Sequence, residues 1–267
     1  MQRQADIGVF GGSGLYSFME NVQEVAIDTP YGAPSDKIAL ATLAGKQVAF
    51  LPRHGKGHTI PPHKINYRAN IWAMHSLGVR QIIAPGAVGS LQPQFAPGDF
   101  VICDQFVNRT WGRLDTFYEG PEVRHISPAD PYCPRLRQTI TETALDLGIR
   151  AHSAGTMVVI QGPRFSTRAE SREYSQHGWS VIGMTGYPEA MLARELAICY
   201  ANISLVTDYD AGLEGQADIA PVTHAAVMQV FAQNVERVKQ LLFQAIERLD
   251  LRAERNCVCS QALASFE

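Results

Sequence analysis

The sequence predicts an α/β fold whose mostly parallel central sheet is covered by helices on both faces. Three observations carry that prediction. Seven short β-branched or apolar runs recur along the 267 residues. Helical periodicity fills several of the gaps between them. Most runs end in a cluster of Gly, Pro, Ser or His. Strands that alternate with helices build parallel sheets, and continuous apolar runs suit central strands buried on both faces.

Taken in order, the runs are IGVF (7–10), QVAFL (47–51), QIIA (81–84), DFVIC (99–103), TMVVI (156–160), SVIGM (180–184) and ISLVTD (203–208). Between the second and third, Ile65, Ala69, Trp72 and Ala73 recur at helical spacing over 64–77. After the last, Val227, Phe231, Val235, Val238, Leu242 and Leu249 do the same over 222–249. One domain over 1–250 follows, with a weakly patterned tail at 251–267 that carries a Cys-X-Cys pair.

Composition bounds the function. Hydrophobic residues make up 46% and charged residues 18%, as in ordinary globular proteins. A net charge of −3 argues against a nucleic-acid-coating protein. No apolar run approaches the ~18 residues of a membrane span, and no h-region opens the chain. Five scattered cysteines, an odd number, suit a reducing compartment better than a secreted disulfide framework. These features read as a cytoplasmic protein with neither membrane nor nucleic acid as partner.

In parallel sheets ligands gather at the carboxyl ends of strands. The segments following the runs are GGSG, PRHGKGH, PGAVGS, QGPRFSTR, TGYPE and DYDAG. GGSGL at 11–15 offers close backbone approach and the hydroxyl of Ser13 to an oxyanion, or is a tight turn. It lacks the spacing of dinucleotide and P-loop motifs. PRHGKGH places Arg53 and His54 at a strand end, where a guanidinium fork and an imidazole suit phosphate; a solvated basic loop is the plainer alternative. His54 and His58 are four apart, but Gly55 and Gly57 disfavour a helix and no carboxylate is near, so metal binding is not expected.

TGYPEA at 185–190 reads as a turn into a helix with Pro188 in its first turn, and Thr185 beside the helix start. TDYD at 207–210 puts two carboxylates on one side of a strand end. Burial there raises a carboxyl pKa and suits proton donation or a grip on ligand N–H groups; turn formation is the alternative. No Ser-His-Asp or Cys-His set assembles, which favours direct transfer to a bound nucleophile. The composite is a set of donors for an anion opposite a pair of acids for a nitrogenous base.

These segments together resemble the methylthioadenosine and purine nucleoside phosphorylase family. GGSGLY, RHGKGH, HKINYRANIWA, GAVGSL, PGDFVICDQFVNRT, FYEG, ADPYCP, GTMVVIQGPRFSTRAE, GMTGYPEAMLARE and VTDYD look like family blocks in family order over roughly residues 6–250. The resemblance implies a single-domain mixed, largely parallel sheet flanked by helices, a homotrimer, and phosphorolysis of an N-glycosidic bond. Inorganic phosphate is then the co-substrate, with no cofactor and no metal. It also implies that Ser13, Arg53, His54, the backbone at Gly86 and Ala87, and Thr185 hold phosphate. Met184 would lie under the ribose and Phe165 near the base or sugar. Asp208 and Asp210 would face the N6 and N7 edge of the purine. His125 of a neighbouring subunit would close the 5′ end.

Two carboxylates accept from a 6-amino group and repel a 6-oxo group when ionised, which favours adenine. TDYD looks like the methylthioadenosine branch, which implies S-methyl-5′-thioadenosine as substrate, split into adenine and 5-methylthioribose 1-phosphate. Departures keep adenosine and the 6-oxopurine nucleosides inosine, guanosine and methylthioinosine as alternatives. GMTGYPE brings Gly183 and Gly186 where the family has other residues, and His224 opens the last helix, where a 5′-hydroxyl could bind. Val227 and Phe231 on that helix still offer an apolar wall for a methylthio group. Cys257 and Cys259 resemble a tail redox pair or are plain tail cysteines; Cys103, Cys133 and Cys199 read as small core residues. A hydrolase of the same fold, or a nucleoside-binding protein without turnover, would be told apart by phosphate dependence and by turnover itself.

Overall fold

The computed structural model describes residues 4–11, 22–213 and 223–264. In chain order the elements are β1 (Ile7–Gly11), β2 (Gln23–Val25), β3 (Ile38–Leu43), β4 (Lys46–Pro52), α1 (Tyr67–Ser76), β5 (Gln81–Ser90), β6 (Phe100–Val101) and β7 (Gln105–Arg109). They continue with α2 (Pro134–Asp146), β8 (Ala151–His152), β9 (Thr156–Ile160), α3 (Arg168–Gln176), β10 (Val181–Gly183), α4 (Glu189–Glu195), β11 (Cys199–Tyr209) and α5 (His224–Arg248). All seven apolar runs lie in or overlap strands.

The eleven strands form one sheet with a path β2-β3-β4-β1-β5-β10-β9-β7. β11 branches from β5 and leads through β6 to β8. The central pairings β1–β4, β1–β5 and β5–β11 are parallel. β5–β10, β6–β11, β3–β4 and β2–β3 are antiparallel, so the sheet is mixed.

Period-two alternation along the strands divides the core between two faces. On β11, Cys199, Ala201, Ile203 and Leu205 join α2 and α5 in one cluster, while Tyr200 and Val206 join α1 and α4 in the other. Gly8 on β1 shows how closely α1 approaches: a Cβ there would sit 3.1 Å from Ile82 and Val79 and 3.2 Å from Met74 Sδ. Such packing fixes strand positions to within less than a methyl group.

Three sequence readings need correction. PGAVGS is the second half of β5 rather than a loop beyond it. Glycine and proline there serve close strand contacts, not a turn. Pro188 caps α4 from outside, and the helix begins at Glu189. The stretch after 250 runs in turns, yet it is not loose: Cys257 and Cys259 are buried in the α2–α5 cluster and Leu251 packs against it. Among the described residues no helix is long and apolar enough to cross a membrane.

Candidate active site

β5 lies between β1, β10 and β11; Arg53 and Thr185 reach it from the ends of β4 and β10, and Asp208 from β11. Arg53 directly follows β4 and is buried. Its Nε donates to Glu189 Oε1 at 2.5 Å and its Nη2 to Glu189 Oε2 at 3.0 Å. Nη1 donates to the Pro85 carbonyl of β5 at 3.2 Å. Burial works against the guanidinium charge, but the Glu189 carboxylate outweighs it and holds the pKa above its ordinary value. Glu189 is itself fixed by Tyr200, whose hydroxyl donates to Oε2 at 2.6 Å.

One edge of the fork belongs to Glu189. What Arg53 offers a ligand is a rigidly aimed charge and its remaining N–H groups at the β5 side.

His54 follows in a tight loop. Gly55 and Gly57 adopt φ of +73° and +81°, left-handed values that favour glycine, so no helix forms here. His54 Nδ1 lies 2.9 Å from the Ile60 carbonyl. A carbonyl only accepts, so the proton belongs on Nδ1 and Nε2 carries a lone pair. The ring stacks on His58 with centroids 4.2 Å apart. Burial first, then the charges of Arg53 and His58, pushes the His54 pKa down to about 4 despite the Ile60 bond. His54 is therefore neutral at pH 7.

Thr185 follows β10, and its hydroxyl faces β5: a Cβ on Gly86 would lie 3.9 Å from Thr185 Oγ1. Ala87 is exposed within an otherwise mostly buried strand. Arg53, Thr185, Gly86 and Ala87 thus meet at one stretch of β5, with His54 adjoining. Ser13, also expected at the anion site, lies outside the described residues.

The acids lie farther along the same strand. A Cβ on Gly89 would come within 3.1 Å of Asp208 Oδ2 and 3.6 Å of Asp210 Cβ. A side chain at this position would crowd Asp208. The register of β11 against β5 runs Val206 to Val88 and then Asp208 to Gly89, skipping Thr207. That bulge turns Asp208 toward Gly89. Thr207 Oγ1 donates to Asp208 Oδ1 at 2.7 Å. Burial and, less so, the neighbouring Asp210 push the Asp208 pKa up to about 6, against the pull of Thr207. Asp210 follows β11 and is buried; Ser166 Oγ donates to its Oδ2 at 2.5 Å. Pro85 and Gly89 are four residues apart, about 13 Å along a strand.

Met184 and Phe165 flank this stretch. Met184 Sδ would lie 2.7 Å from a Cβ on Gly162, and Phe165, beside Ser166, is exposed. His224 opens α5 and is exposed. Val227 is half-buried, whereas Phe231 packs against the α2–α5 core, which ties it to the fold. His125 is exposed in the long segment between β7 and α2.

Sequence reasoning did not find Glu189, Ser166 or Arg113. Arg113 donates to the carbonyls of Ile160, Gln161, Met184 and Tyr187 at 3.3, 3.1, 3.0 and 2.6 Å. It ties the loop before Phe165 to the loop that carries Thr185. Glu189 and Ser166 stand inside TGYPEA and QGPRFSTR, but nothing in the spacing pairs them with Arg53 and Asp210, and nothing singles out Arg113.

The family described as the phosphorylase superfamily matches residues 6–247. The chain is 50% identical to a purine nucleoside phosphorylase of Streptomyces coelicolor, over 99% of this chain and 96% of that protein. It is 52% identical to an S-methyl-5′-thioadenosine phosphorylase of Thermofilum pendens, over 96% of each. A solved methylthioadenosine phosphorylase from an antarctic soil metagenomic library superposes with a TM-score of 0.91 at 41% identity, over 99% of this chain and 92% of that one. The Schistosoma mansoni methylthioadenosine phosphorylase in complex with adenine gives 0.84 at 37%, over 91% of each.

Proposed function

The chain belongs to the phosphorylase superfamily, and from that premise we propose that it cleaves S-methyl-5′-thioadenosine with inorganic phosphate, yielding adenine and 5-methylthioribose 1-phosphate. One observation carries the reading. Arg53 and Thr185 meet β5 at Pro85 and Gly86, and Asp208 and Asp210 meet it at Gly89. A nucleoside with phosphate beneath its sugar spans that stretch.

The chemistry follows from the two ends. Breaking the C1′–N9 bond builds positive charge on the ribose. Phosphate held by Thr185, the β5 backbone, Arg53 and His54 stabilises that charge and attacks C1′ from the face opposite the purine. The bonding pair leaves with the base, and protonated Asp208 supplies a proton to N7. Asp210, oriented by Ser166, accepts from the 6-amino group. Neutral His54 accepts a phosphate hydroxyl at Nε2, or takes up a proton as the dianion arrives. Phosphate is the co-substrate, and no step calls for a metal.

The finer assignments belong to the same reading. Phe165 covers the base and Met184 the ribose. The working form is a cytoplasmic homotrimer in which His125 of a neighbour closes the 5′ end. A second reading, a 5′-hydroxyl nucleoside such as adenosine, draws on His224 at the start of α5 and on the purine nucleoside phosphorylase among the relatives.

Phosphorolysis kinetics on methylthioadenosine, adenosine, methylthioinosine and inosine separate these readings. The proposal expects methylthioadenosine to have the highest kcat/KM. Adenosine in first place would move the assignment to the second reading; inosine in first place would overturn the role of the two acids.

A further inference from the structure

At the other end of β11 from Asp208, four cysteines from three distant parts of the chain converge. Cys133 is the residue before α2, Cys199 is the first residue of β11, and Cys257 and Cys259 come from the C-terminal segment. All four sulfurs lie within 4.8 Å of one another, and all four residues are buried. Cys257 and Cys259 are 3.2 Å apart, Cys199 and Cys257 3.4 Å, and Cys199 and Cys259 3.6 Å. All are free thiols. A tetrahedral ion with metal–sulfur bonds of ~2.3 Å has sulfur edges of ~3.8 Å. The cluster already approximates such a tetrahedron.

We infer that Cys133, Cys199, Cys257 and Cys259 form a closed structural site for a soft divalent metal ion, with zinc the best match to four thiolates in tetrahedral array. The surroundings suit the charge of such a site. Arg255 Nη1 reaches the Cys199 sulfur at 3.7 Å while anchored to the Ala197 carbonyl at 2.9 Å. Cys133 stands at the start of a thirteen-residue helix. The Cys133 N–H is fixed to the Tyr200 carbonyl at 2.8 Å, which locks it against β11. These contacts orient the ligands before any ion arrives.

The binding step moves no electrons. Each thiol loses its proton to solvent as its sulfur bonds the metal, so affinity rises with pH. The ion would clamp the C-terminal segment to α2 and the start of β11. Cys199 and Asp208 are nine residues apart on one strand, about 30 Å, so the site stands clear of the nucleoside.

The test uses the full chain, reduced and stripped of metal under anaerobic conditions, then titrated with Co²⁺ and afterwards Zn²⁺. The expected result is one cobalt per chain, with intense tetrahedral d–d bands and sulfur-to-cobalt charge transfer, all erased by one equivalent of zinc. Cys103→Ser keeps the bands, while Cys257→Ser/Cys259→Ser loses them without changing phosphorolysis kinetics. Should that double variant fail to fold, the wild-type titration and the metal content of protein purified in reductant decide alone. Reduced wild-type protein that takes up no stoichiometric cobalt overturns the inference. So do bands that survive the double substitution, or protein isolated metal-free with these cysteines joined as disulfides that cytoplasmic-strength reductant leaves closed.

Discussion

Arg53 and Glu189 meet as a buried two-point ion pair, 2.5 and 3.0 Å, although 136 residues separate them in sequence. The pair joins the end of β4 to the start of α4 across β5. It aims the one buried guanidinium of the anion site and, with Tyr200, leaves it little freedom.

Glu189→Gln keeps the shape and removes the counter-charge. The expected outcome is a rise of ~10-fold or more in KM for phosphate, with KM for the nucleoside little changed. Breaking a buried pair also costs stability, of order 3 kcal/mol for Glu189→Ala. Phosphate saturation curves and thermal melts check both halves.

Arg53→Ala removes the charge itself. Loss of a preorganised donor at a developing charge typically costs ~10²-fold or more in rate. We expect a loss of that size in kcat/KM for phosphate, and arsenate should suffer in parallel, being an anion of like shape.

The proton-donor role proposed for Asp208 predicts a pH dependence of the chemical step. With a folded pKa of about 6, the acid form that protonates N7 disappears as pH rises through that value. kcat/KM should fall on the alkaline side of pH 6, and Asp208→Asn should flatten that limb and lower kcat by ~10²-fold or more. Adenine nucleosides should lose more than 6-oxopurine nucleosides.

The same shift makes a stability statement. The folded pKa of about 6 lies above the ordinary carboxyl value of 3.8, so the fold disfavours the ionised form. The contribution is fully present below pH 3.8 and is lost as pH rises through 6. Asp208→Asn should therefore raise Tm at pH 7.5, by up to order 2 kcal/mol of stability, and change little near pH 4. Melts at the two pH values check the sign.

His54 behaves in the opposite sense. Its folded pKa of about 4 lies below the ordinary imidazole value of 6.5, so its contribution is present above pH 6.5 and lost as pH falls toward 4. In NMR titrations its imidazole should stay neutral down to pH 5 in the free protein. Saturating phosphate should raise that pKa, because an anion at Nε2 favours the charged ring.

Much of this was legible before any coordinates. Arg53, His54, Thr185, Asp208 and Asp210 each follow, or end, a β-branched run, and parallel-sheet topology gathers strand ends. Their partners were not. Ser166 reaches Asp210 from 44 residues away and Arg113 reaches Met184 from 71, and spacing along the chain does not encode such meetings. Among the elements, β2 is exposed and β7 only half-buried, so neither shows an apolar run. α3, RAESREYSQ, is nearly all polar and declares itself mainly by its Thr167–Glu170 capping box. PGAVGS read as a loop because glycine usually marks turns. At Gly89 it serves the approach of Ile182 at 3.0 Å and Asp208 at 3.1 Å to a would-be Cβ. The tail cysteines gave no sign that Cys133 and Cys199 awaited them in space.

The most direct test of direct phosphate attack is turnover of S-methyl-5′-thioadenosine with phosphate labelled in every oxygen with ¹⁸O. The account predicts adenine and a methylthioribose 1-phosphate that retains the whole label, its bridging oxygen included, with no turnover when phosphate is withheld. Release of adenine together with free, unlabelled methylthioribose, at a rate indifferent to phosphate, would contradict it.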